Sequence, residues 1–107
     1  MMVRVEEKRH SIRMPAAYPV VVRDRRGNLL ARGRTANVSE VGAYVLARGG
    51  RRVAEGQLAL IELVLPASPL CRSRNQTRTV VYTCRIIRCE DLGSMIGLGV
   101  QLLEKLR

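Results

Sequence analysis

Aromatic side chains are almost missing from this chain, which has no Trp, no Phe and three tyrosines, Tyr18, Tyr44 and Tyr82. Proteins that hold single-stranded nucleic acid lay successive bases on aromatic rings, so the shortage weighs against that class. Long hydrophobic runs are lacking too. A membrane-spanning helix takes roughly 20 consecutive apolar residues, whereas the run Leu58 to Leu65 is broken by Glu62. Charge at Arg4, Glu6, Glu7 and Lys8, without an apolar stretch, does not support a secretory leader. The expected location is the cytoplasm, with no membrane span.

Catalytic constellations are absent in the same way. The one histidine, His10, would need a nucleophile and an orienting carboxylate to act as a base, and no GxSxG motif accompanies it. The glycine-rich stretches match neither GxGxxG nor a phosphate-binding P-loop. No enzyme is expected, and His10 reads as an exposed side chain. The three cysteines, Cys71, Cys84 and Cys89, make an odd count with no CxxC. Cys84 and Cys89 are five apart and face opposite sides of a regular strand, so without a bulge they do not share a metal. Reduced, partly buried thiols are expected, with no metal site and no cofactor.

What the chain does have is positive charge. Nineteen basic residues against nine acidic ones give +10, and seventeen of the basic ones are arginines. Such an excess calls for an anionic partner, whether a nucleotide, a nucleic acid or an acidic protein surface. A GC-rich genome would also favour Arg over Lys, but the sign of the charge stands either way. At 107 residues the chain holds one domain with a modest core.

Helical periodicity is scarce, and short apolar, β-branched runs recur between turn signals. Strands are expected at Tyr18 to Arg23, Leu29 to Ala36, Ala43 to Ala47, Gln57 to Leu65, Thr79 to Cys89 and Met95 to Leu103. Between the first two, Asp24-Arg25-Arg26-Gly27-Asn28 reads as a hairpin loop in which Gly and Asn take positive φ. Gln57 to Leu65 is nearly all apolar and reads as the most buried strand. Residues Pro66 to Thr77 read as a long loop. The adjacent Ile86-Ile87 pair breaks the alternation of its strand, as a bulge does. Ile96, Leu98, Val100 and Leu102 alternate as an inward face, with Gly97, Gly99 and Gln101 outward. Six short strands without covering helices predict an antiparallel barrel, because closure removes exposed edges.

Two fragments carry the chemistry. Lys8-Arg9-His10-Ser11-Ile12-Arg13 sets two arginines four apart ahead of the first strand, and Asn37-Val38-Ser39-Glu40-Val41-Gly42 sets an amide, a hydroxyl and a glycine at i, i+2 and i+5. A guanidinium engages a phosphate, or the O6/N7 edge of guanine, through two parallel hydrogen bonds, and it stacks on a purine as Lys does not. Asn offers an acceptor and donors to a base edge, and Ser offers a small hydroxyl. Gly42 allows positive φ or a close backbone approach. Asn37 and Ser39 also suit plain capping of a turn, a role compatible with binding.

Together the fragments resemble the RxxxR and (D/N)xSxxG signatures of the PilZ domain, the bacterial receptor module for cyclic di-GMP. The resemblance covers roughly Glu6 to Glu104 and implies a six-stranded barrel, whose closing strand would be Ile96 to Leu102. It implies a ligand site made of Arg9, Arg13, Asn37, Ser39 and Gly42, with the RxxxR arm wrapping over the nucleotide. Lys8 stands where many relatives have Arg; it pairs with a phosphate but does not stack, so one ligand or a stacked pair are both open. Many relatives add a C-terminal helix, for which Leu103 to Arg107 leave hardly one turn. The implied organisation is a basic arm, residues 1–13, and a barrel, residues 14–107. The expected role is a non-catalytic cyclic di-GMP receptor that signals to a downstream protein partner. A small basic barrel that binds nucleic acid, and a degenerate PilZ-like adaptor that binds only protein, are the alternatives.

Overall fold

The computed structural model describes residues 17–49, 53–66 and 76–107. Lys8, Arg9, His10 and Arg13, the boundary between residues 13 and 14, Cys71 and most of the loop after Pro66 lie outside the described residues. Six strands follow in chain order: β1 (Pro19–Arg23), β2 (Leu29–Val38), β3 (Gly42–Gly49), β4 (Leu58–Pro66), β5 (Thr77–Asp91) and β6 (Ile96–Lys105). They close in the order β1-β2-β3-β6-β5-β4, and every neighbouring pair is antiparallel. The barrel anticipated from the strand spacing is therefore present. There is no helix among the described residues, and Leu103 to Lys105 continue β6. Beyond it, Leu106 N–H donates to the Val81 carbonyl and Val81 N–H to that of Arg107.

One face of each strand points into the barrel. Val20 and Val22, Ala43, Val45 and Ala47, Ala59, Ile61 and Leu63, Ile86, and Leu98 and Val100 make the interior. A six-stranded barrel is narrow, and side chains no larger than Leu or Ile, mixed with Ala, fill it without large rings. The shortage of aromatics thus fits the interior as well. Truncating Ile61, which is fully buried, to Ala would cost about 2–5 kcal/mol.

β4 departs from expectation. Its run of apolar residues suggested the most buried strand, yet only Ala59, Ile61 and Leu63 are buried while Leu58 is exposed. A strand in a closed barrel has a single interior face, and no helix among the described residues covers its outside. β3 holds more buried positions, namely Gly42, Ala43, Val45 and Ala47. Outside β4, Glu62 accepts from Arg23 Nε at 3.0 Å, a half-exposed pair worth about 0–1 kcal/mol.

Bulges set two further details. Ile86 pairs with Val100 and Arg88 with Gly99, so Ile87 is the extra residue; Ile86 is fully buried and Ile87 is exposed. The same bulge corrects the cysteine parity. It returns Cys89 opposite Leu98 and against the core, on the side that Cys84 also faces. Even so, no group of three potential metal ligands occurs among the described residues. In the β1–β2 turn, Gly27 takes φ 95° but Asn28 does not adopt positive φ. Asn28 instead donates its N–H and Nδ2 to the Asp24 carboxylate at 2.8 and 3.0 Å. Those bonds, the Asn28 backbone one first, hold the exposed Asp24 carboxyl below its ordinary range.

Candidate functional site

The NxSxxG fragment lies where β2 gives way to β3. Asn37 belongs to β2, Ser39 to the turn, and Gly42 opens β3. Thr35 pairs with Val45 and Asn37 with Tyr44, leaving Ala36 as an extra residue. In a regular strand Asn37 would share the inward face of the buried Thr35. The bulge re-aims it to stand beside Tyr44, a use to which bulges near functional sites are commonly put. Its side-chain carbonyl Oδ1 is buried with no hydrogen-bond partner among the described residues. Such an acceptor costs about 1–3 kcal/mol when left unmade.

Ser39 builds the turn. Its Oγ accepts the N–H groups of Val41 and Gly42, each at 3.2 Å, while its own N–H donates to the Gly42 carbonyl at 2.8 Å. Leu102 N–H then donates to Val41 at 2.9 Å, tying the turn to β6. Of the two reasons for glycine at position 42, close approach is the operative one: a Cβ there would come within 2.9 Å of the Val100 carbonyl oxygen. Positive φ plays no part, since Gly42 does not adopt it. The expected Asn37, Ser39 and Gly42 are thus brought together on one edge of the β2–β3–β6 wall, and Lys8, Arg9 and Arg13 lie outside the described residues.

Tyr44, which sequence reasoning left without a role, lies beside this turn. It pairs with Asn37 on one side and Gly99 on the other. Its ring reaches across β6 so that the phenol end rests on Gly97, where a Cβ would meet Cζ at 2.7 Å. The hydroxyl donates to Glu90 Oε1 on β5. That bond to a carboxylate, with burial second, raises the Tyr44 pKa above its ordinary 10.0. The available sequence signal was the pair of glycines on the outward face of β6, since a strand without outer side chains lets another group lie on its backbone.

The family and structural comparisons agree with the six-stranded barrel. The profile of the PilZ domain matches residues 7–107. Among solved structures, the Bacillus subtilis inhibitor of motility, MotI/DgrA, superposes with a TM-score of 0.70 at 17% identity, over 92% of this chain and 44% of that one. The chain therefore spans less than half of that neighbour, and the likeness concerns the fold. No curated protein matches in sequence.

Proposed function

The chain belongs to the PilZ domain family, and on that premise we propose that it is a non-catalytic receptor for cyclic di-GMP. The observation that carries the reading is the Oδ1 of Asn37, buried and without a partner among the described residues. Guanine presents N–H donors on its Watson–Crick edge, and a preformed acceptor without a partner is stabilised when such a donor reaches it. Ser39 and Gly42 act through the turn: they keep Asn37 at the mouth of the β2–β3 connection against β6. Arg9 and Arg13 supply the planar donor forks for phosphates and the O6/N7 edge, and Lys8 adds a point charge for a phosphate. A net charge of +10 draws the doubly anionic ligand in.

In this role the domain converts messenger concentration into a surface that a cytoplasmic protein partner recognises. Isothermal titration of the whole chain with cyclic di-GMP tests the reading directly. Saturable heat is expected, with a shallow dependence of affinity on salt because few phosphates are neutralised. No heat with cyclic di-GMP, together with tight and steeply salt-dependent binding of an oligonucleotide, would transfer the chain to the nucleic-acid binders.

A further inference from the structure

β6 has glycine at two alternate outward positions, Gly97 and Gly99, leaving a strip of the barrel wall without side chains. The strip is treated differently at its two ends. Over Gly97 it is covered by the phenol of Tyr44. At Gly99 it is open: an added Cβ would meet only the Cβ and backbone nitrogen of Arg88, at 3.5 and 4.0 Å, both ordinary contacts. The opening lies in one cross-strand row that runs Asn37, Tyr44, Gly99, Arg88 across β2, β3, β6 and β5. Neighbouring strands are about 4.8 Å apart, so the row follows the curved wall of the barrel for about 14 Å from Asn37 to Arg88. A ligand with two bases and two phosphates bridges such a distance.

Arg88 is held loosely at the far end of this row. Its side chain is 63% exposed, and among the described residues its ion-pair partner is Glu90, with Oε2 at 3.7 Å. A charge-assisted hydrogen bond to a carboxylate has a length of about 2.7–2.9 Å. The other oxygen of Glu90 is already taken by Tyr44. We propose that Arg88 is a ligand-binding residue that takes a phosphodiester of cyclic di-GMP, with Gly99 as the bare floor of the site. Tyr44, pinned by Glu90, is the wall that separates this phosphate position from the base position at Asn37. The proposal rests on the reading of the chain as a cyclic di-GMP receptor, and it adds a contact from β5 to a site otherwise built from the arm and the β2–β3 turn.

The test is calorimetry with cyclic di-GMP on the full chain and four variants, with far-UV circular dichroism to verify the fold. Arg88→Ala should weaken binding at least ten-fold, and Arg88→Lys less, since a Lys still meets a phosphate as a point charge. Glu90→Gln should leave affinity equal or higher, because the amide oxygen still accepts from Tyr44 while the charge that competes for Arg88 is gone. Arg78→Ala, which removes the same charge at the exposed start of β5, should change affinity far less than Arg88→Ala. Wild-type affinity in Arg88→Ala, or an equal loss in Arg78→Ala, would overturn the assignment while wild-type heat leaves the receptor reading standing. No heat from the wild-type chain would remove both together.

Discussion

Asn37 faces Tyr44 across the β2–β3 ladder because Ala36 is bulged out of register between Thr35 and Asn37. One additional residue thus separates a threonine buried in the barrel from an amide at its outer edge. The amide comes with an acceptor that no other described residue meets, and a donor that reaches it relieves a local cost. Asn37→Leu removes the acceptor and keeps the branching of the side chain at Cγ. It should melt no lower than the wild type and bind cyclic di-GMP at least ten-fold more weakly, because replacing an unmade polar group with an apolar one is neutral or stabilising. A lowered melting temperature with unchanged affinity would show that the amide serves the fold.

The two arginines ahead of the barrel should dominate affinity. Under the proposed receptor role, Arg9→Ala or Arg13→Ala would remove a bidentate, charge-assisted contact and should cost on the order of 2–5 kcal/mol in the titration. Saturating cyclic di-GMP should also slow trypsin cleavage after Arg9 and Arg13. Equal cleavage with and without ligand would detach the arm from the site.

Ser39→Ala should act on the fold as well as on the ligand. It deletes the acceptor for the Val41 and Gly42 N–H groups. The turn that seats Gly42 against Val100 then loses about 1 kcal/mol, which a shift of the urea midpoint measures. Binding should fall with it, because Asn37 is positioned from the same turn.

Cys84 should be silent to thiol reagents in the native protein. Its side chain is fully buried, and burial pushes its pKa from 9.0 up to about 12. Alkylation at pH 8 followed by peptide mass analysis should find Cys84 unmodified until denaturant is added. The pH dependence follows from the sign of the shift. The neutral thiol is the form the fold favours, so this stabilisation is complete below about pH 9 and is lost as pH rises toward 12.

Alternation and turn residues were enough to outline the barrel. Ile96, Leu98, Val100 and Leu102 already spell an interior face, and the Ile86-Ile87 pair announces its bulge. The Asn37–Gly42 spacing likewise marked the turn between β2 and β3 as the candidate site. Other features depend on contacts far apart in sequence. Nothing local to Ala36 announces its bulge, because the surplus exists only relative to the register of β3. The inward return of Cys89 likewise follows from a bulge counted against β6. Tyr44 gains its role from Gly97 and Glu90, about half a chain away. β4 misled because an apolar run does not say whether its second face meets protein or water.

The ladder between β3 and β6 joins Gly42 to Gln101 and Ala47 to Ile96, residues separated by half the chain. Bringing such distant segments together is slow relative to forming local hairpins, since the entropy of closing the intervening loop precedes any reward from pairing. A nascent chain that has emerged only through β5 already displays Arg9, Arg13, Asn37, Ser39 and Gly42 in full. It has neither the Val100 carbonyl that seats Gly42 nor the bare backbone of Gly99. Under the proposed receptor role, messenger affinity waits on the pairing of β6 with β3.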